Sequence, residues 1–129
     1  MIYLTSASLG FIILKYLPRD IHYTLVVNSV TLAEELKYWD NVSVYIVGGK
    51  MRQHGTASIV DSFATAFVKN MHFDLSLMSA GGVDAEFGLS NGTDETATFQ
   101  RAVIENTRKN ILLMPNQKLV SKHLLRFAM

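Results

Sequence analysis

Short β-branched or aromatic apolar runs at residues 2–4, 24–27, 42–47, 75–80 and 111–114 alternate with segments whose apolar residues recur at helical period, and this alternation constrains the fold most strongly. Elements ordered this way build βαβ units, because a crossover helix returns the chain parallel to the strand it left. The near-continuous apolar character of each run predicts strands buried on both faces, as a parallel sheet covered by helices requires. The expected fold class is therefore α/β: a mostly parallel, Rossmann-like sheet with helices on both faces. The 129 residues, 49% of them hydrophobic, suit one domain with enough apolar material to fill its interior.

The intervening segments carry their own start and stop signals. Residues 9–17 read as a helix that ends at Pro18. Thr31-Leu-Ala-Glu34 matches a capping box and predicts a helix start there, with Leu32, Ala33, Leu36 and Trp39 on the apolar side. Over residues 59–71, Val60, Ala64, Phe67, Val68 and Met71 form one apolar stripe with Phe63 at its border, which predicts a helix. A fourth helix is expected over 94–106, with Asp94 and Glu95 at its positive end and Arg108 and Lys109 near its close.

Composition narrows the function classes. With no cysteine there is neither a disulfide framework nor a thiolate zinc site, and a reducing, cytoplasmic setting is expected. No run approaches the roughly 18 apolar residues of a membrane span, so no membrane partner is expected. Twelve Lys and Arg against eleven Asp and Glu leave a net charge of +1 with no basic run, so DNA contact by this segment itself is not expected. The sequence opens on an apolar run and stops on another, Leu124-Leu-Arg-Phe-Ala-Met129. We expect both ends to be cut, with covering elements beyond them.

In an open parallel sheet, ligands bind beyond the carboxyl ends of the strands. Those ends here are Thr5-Ser6-Ala7-Ser8, Asn28-Ser29, Gly48-Gly49-Lys50-Met51-Arg52, Gly81-Gly82-Val83-Asp84 and Asn116-Gln117-Lys118. Glycines allow close backbone approach, hydroxyls and amides donate, and cations neutralise charge, a set that suits an anion carrying hydroxyls such as a sugar phosphate. Glycines and serines also end strands simply because turns need them, so the coincidence of five such ends carries the reading. The expected binding residues are Ser6, Ala7, Ser8, Asn28, Ser29, Gly48, Gly49, Arg52, Gly82, Asp84 and Lys118.

Two sharper motifs fail on context. Gly88-Leu-Ser-Asn-Gly92 matches the G-x-S-x-G string of a nucleophile elbow, yet the preceding Asp84-Ala-Glu-Phe87 is loop-like and no Asp follows before His123. His22, His54, His72 and His123 include no pair three or four apart, so neither a metal site nor a cofactor is expected.

The strand ends resemble those of the C-terminal effector-sensing domain of DeoR-type sugar-metabolism repressors. Val26-Val-Asn-Ser29 is similar to that family's strand-end T-N-S, and Ile46-Val-Gly-Gly-Lys-Met-Arg52 to its apolar-G-G-x-x-R. Gly82-Val-Asp84 through Gly88-Leu89 is similar to its G-I-D…G-L stretch, and Arg101-Ala-Val-Ile-Glu105 and Ile111-Leu-Leu…Lys118 to its last helix and strand. The resemblance implies an architecture shared with ribose-5-phosphate isomerase and coenzyme A transferases. It also implies a phosphosugar effector, and DNA binding only through an N-terminal winged helix-turn-helix absent from these residues. The chain departs from the pattern in several places: Thr5-Ser-Ala-Ser-Leu9 replaces D-S-G-T-T, Asp61 stands for a common Gly, Gly81 for an Asp, Gln100 for a Lys and Pro115 for an Asp. The leading expectation is a non-enzymatic, homo-oligomeric sensor. The alternatives are a phosphosugar isomerase-like enzyme and an assembly module without a ligand.

Overall fold

Along the chain run β1 (Ile2–Leu4), α1 (Leu9–Leu14), β2 (Tyr23–Val27), α2 (Val30–Leu36), β3 (Val42–Ile46), α3 (Ser62–Lys69), β4 (Phe73–Ser79), β5 (Gly82–Asp84), β6 (Gly88–Ser90), α4 (Asp94–Glu105) and β7 (Thr107–Leu113). The structure is a computed structural model that describes residues 1–5, 9–79, 82–84, 88–90 and 94–113. Five strands form one parallel sheet in the order β3-β2-β1-β4-β7, while β5 and β6 pair antiparallel as a separate hairpin. Strand β1 is central, with Ile2 level with Leu25 on one side and with Leu75 on the other. The expected α/β class is the one observed.

Side chains alternate across each strand, so the sheet divides the interior in two. Leu4, Leu25, Val27 and Leu77 pack with Ile13 and Leu14 of α1, Leu32 and Leu36 of α2, and Trp39. On the other face Tyr3, Val26, Met78 and Leu112 meet Ala64 and Val68 of α3 and Phe99, Ala102 and Val103 of α4. The Tyr3 ring lies 6.0 Å from those of both Phe73 and Phe99. At the opposite end of the sheet from the strand-end loops, Pro18 O accepts from Tyr23 Oη at 2.7 Å and Asn41 Nδ2 at 2.9 Å, and Arg19 stacks 3.9 Å from the Trp39 ring centre.

Several boundaries differ from the sequence reading. Helix α2 is capped by Ser29, whose Oγ accepts from Leu32 N at 3.1 Å, so Thr31 lies inside the helix and its Oγ1 donates to Thr56 O instead. Helix α3 starts only at Ser62, capped by Asp61, and Ile59 forms an antiparallel bridge with Met51 before it. It packs through Ala64, Thr65 and Val68, which leaves Phe67 on the flank and Phe63 75% exposed. Strand β3 is an edge strand among those described, with Ser43, Tyr45 and Ile46 exposed, so it is not buried on both faces as its apolar run suggested. Arg108 and Lys109 belong to β7 and not to a helix end. Asn106 closes α4 by donating to Ala102 O, and the edge position of β7 among the described strands leaves both cations exposed.

No described helix is long and apolar enough to cross a membrane. The expected strand ends at Ala80 and Met114 and the terminal apolar run at 124–129 lie outside the described residues.

Candidate functional site

The end of β2 is tied to the segment that follows β3. Asn28 is fully buried; its Oδ1 accepts from Tyr3 Oη at 2.7 Å, and its Nδ2 donates to Ile59 O at 3.1 Å. Ile59 N returns a bond to Asn28 O at 2.8 Å. The buried Ser29 hydroxyl donates to Thr56 O at 2.5 Å while capping α2. Both side chains singled out in the sequence therefore hold the returning segment 56–59 against the sheet edge, and every donor and acceptor accounted for here serves the fold.

The turn after β3 is built around Asp61. Its Oδ2 accepts from Lys50 N at 3.0 Å and its Oδ1 accepts from Ala64 N at 3.1 Å, so one carboxylate joins the turn to the start of α3. Gly49 sits at φ +148°, where a Cβ would collide with Asp61 Oδ1 and come within 2.8 Å of Ile59 Cγ2, so this position admits only glycine without rearrangement. Gly48, its neighbour, faces open space.

Two clefts open on either side of Asp61. One, about 550 Å3, is lined by Lys50, Met51, Arg52, Gln53, Val60, Asp61 and Glu95. There Arg52 Nη2 lies 4.0 Å from Glu95 Oε1, a pair at the limit of ion-pair distance with both side chains well exposed, which a ligand anion could displace at small cost. The second, about 430 Å3, runs along α3 from Ser62 to Lys69 beside the N-terminal end of α4. Its walls include Ser62, Lys69, Asp94 and Thr98, and it shares Val60, Asp61 and Glu95 with the first.

The structure thus brings Gly48, Gly49 and Arg52 to one corner, but with Asn28 and Ser29 beneath it as supports. Gly82 and Asp84 lie in the β5–β6 hairpin. Ser6, Ala7, Ser8 and Lys118 lie outside the described residues. Ser90 ends β6 of the hairpin and not a strand of the parallel sheet, so the context a nucleophile elbow needs is missing at that position. Among the described residues no three His, Asp or Glu side chains gather as a metal site. Sequence reasoning missed Asp61, Glu95 and Thr65 as site residues. Asp61 stood out only as a departure from a family pattern, and Thr65, within an apolar stripe, read as core.

An all-parallel sheet sandwiched between helix pairs, with polar clefts beyond the carboxyl ends of its strands, defines a doubly wound α/β domain of the kind that presents small-molecule sites. The family profile of the DeoR C terminal sensor domain matches residues 1–129, and the chain belongs to that family. It is 30% identical over 114 residues, 88% of this chain and 44% of the relative, to the HTH-type transcriptional regulator GlpR of Haloferax volcanii. It is 25% identical over 105 residues to the HTH-type transcriptional repressor GlcR of Bacillus subtilis (81% of this chain, 40% of the relative). To the glycerol-3-phosphate regulon repressor of Haemophilus influenzae it is 22% identical over 104 residues, with the same coverages of 81% and 40%. The chain spans less than half the length of these relatives. It is the sensor-type domain of a transcriptional-regulator family, as its strand ends suggested.

Proposed function

We propose that this domain binds a phosphorylated sugar or a related anionic metabolite and, through that binding, controls DNA affinity of an N-terminal helix-turn-helix domain in a homo-oligomeric cytoplasmic regulator. The observation that carries the reading is the cleft after β3, where Lys50 and Arg52, just beyond the Gly48-Gly49 turn, both line the wall. A backbone turn supplies geometry, and a guanidinium 39% exposed at the cleft can form charge-assisted hydrogen bonds with a phosphate. The relative named for a glycerol-3-phosphate regulon supports a phosphorylated effector. Effector binding would act by preferring one of two arrangements of the assembly, which is how a site without chemistry sets the affinity of an attached reader.

Calorimetry with inorganic phosphate, a panel of sugar and polyol phosphates, and their unphosphorylated parents tests this. Arg52→Ala is expected to weaken the phosphorylated ligands by roughly tenfold to a hundredfold, the range for loss of one charge-assisted contact. Equal binding of phosphorylated and neutral compounds would refute it, as would turnover of ribose 5-phosphate.

A further inference from the structure

The cleft between α3 and α4 has a property that its neighbour lacks. Thr65 lines it, yet is only 7% exposed. Its backbone N–H is used within the helix, donating to Asp61 O at 3.0 Å, but among the described residues its hydroxyl has no hydrogen-bond partner. A buried hydroxyl left this way costs stability, and it is tolerated where a ligand or ordered water completes it. At the start of β7, by contrast, Thr107 Oγ1 donates to Val103 O in the last turn of α4.

The charge of this cleft selects its occupant. Among the described residues lining it, Asp61, Asp94 and Glu95 face a single cation, Lys69, so a phosphate entering it would meet net negative charge from these groups. Hydroxyl donors meet acceptors instead: carboxylates accept strongly from sugar hydroxyls, while the hydroxyls of Ser62 and Thr98 both donate and accept. Next door, Lys50 and Arg52 offset Asp61 and Glu95, which stand on the boundary that both clefts share, so an anion beside the two cations meets no excess of negative charge.

We propose that the α3–α4 cleft holds the hydroxyl-bearing carbon chain of the effector, with Thr65 Oγ1 at its floor, and that the phosphate lies outside it toward Lys50 and Arg52. This rests on the phosphorylated-effector reading above and adds to it a place for the part of the ligand that distinguishes one sugar phosphate from another. Thr65 is then a specificity-determining residue.

The test uses Thr65→Val, which keeps the shape and removes the hydroxyl, and Thr65→Ser, which keeps the hydroxyl. Glycerol 3-phosphate, ribose 5-phosphate, fructose 6-phosphate, their dephosphorylated parents and inorganic phosphate serve as probes. Thr65→Val is expected to melt at or above the wild-type temperature and to bind the best polyol phosphate about three- to tenfold more weakly, the range for one neutral hydrogen bond. Inorganic phosphate should bind both proteins alike, and Thr65→Ser should retain most of the wild-type affinity. Unchanged polyol phosphate binding by Thr65→Val overturns the proposal, as does a melting temperature several degrees lower, which would reveal a structural partner for the hydroxyl. Neutral polyols that bind as tightly as their phosphates but lose affinity in Thr65→Val would remove the phosphate reading and leave this one standing. Failure of every probe to bind the wild type removes both.

Discussion

Replacing Asn28 by alanine separates a structural role from a ligand-contacting one. In the folded chain Asn28 is fully buried and bridges Tyr3 Oη and Ile59 O, themselves on residues 1% and 5% exposed. Truncation removes the hydrogen bond that Asn28 accepts from the phenol and the one it donates to the Ile59 carbonyl, each loss costing about 1–3 kcal/mol when buried. The expected loss is therefore about 2–6 kcal/mol. At roughly 3–5 °C per kcal/mol for a domain of this size, the melting temperature should fall by on the order of 10–20 °C. Reversible thermal and urea unfolding followed by far-UV circular dichroism, with Trp39 fluorescence as a second probe, measures it. Tyr3→Phe completes a double-mutant cycle, and the double variant should be less destabilised than the two single losses together, because removing both partners leaves fewer groups unsatisfied. A shift under about 3 °C in Asn28→Ala, accompanied by loss of effector binding, would refute the reasoning and return Asn28 to the binding site.

Two further outcomes follow from geometry already described. Gly49→Ala should destabilise by at least about 1–3 kcal/mol, given its φ of +148° and the obstructing Asp61 carboxylate, while Gly48→Ala, facing open space, should stay within about 0.5 kcal/mol of the wild type; equal unfolding midpoints for the two would contradict this. Burial raises the Tyr23 phenol above its ordinary value, partly opposed by its hydrogen bond with Asn41 and by Arg19. A phenol whose folded value lies above its unfolded one contributes stability that is complete below about pH 10 and lost as pH rises through the folded value, so Tyr23→Phe should show a shallower alkaline loss of stability in pH-dependent urea unfolding.

Most of the architecture was legible because it depends on periodicity. Runs such as residues 24–27 and 75–80 are too short and too uniformly apolar for an amphipathic helix, and the segments between them carry helical spacing. Local capping signals were ambiguous where tertiary contacts chose between them: Ser29 and Thr31 are both competent caps, and the carbonyl of Thr56, 25 residues from Thr31, decides by accepting from both hydroxyls. The same holds at Arg108 and Lys109, which suit a helix end until Asn106 stops the helix first. The site was legible only as a location. Which polar groups the fold consumes, as with Asn28, and which it leaves over, as with Thr65, depends on partners that come together only once the sheet has closed.

The central position of β1 also sets a schedule for the growing polypeptide. The strand synthesised before the others described here is also the middle one of the five, and its two neighbours emerge far apart in time. Leu25 closes one flank of Ile2, but Leu75, which closes the other, follows about 50 residues later, roughly 3–10 s at ordinary elongation rates. Throughout that interval the nascent chain carries an uncapped row of backbone donors and acceptors on its innermost strand, which is the kind of surface that captures a neighbouring chain. For a domain of this topology, the ribosome-bound stage is therefore where misassociation has its best opportunity, and slow translation between β2 and β4 prolongs it.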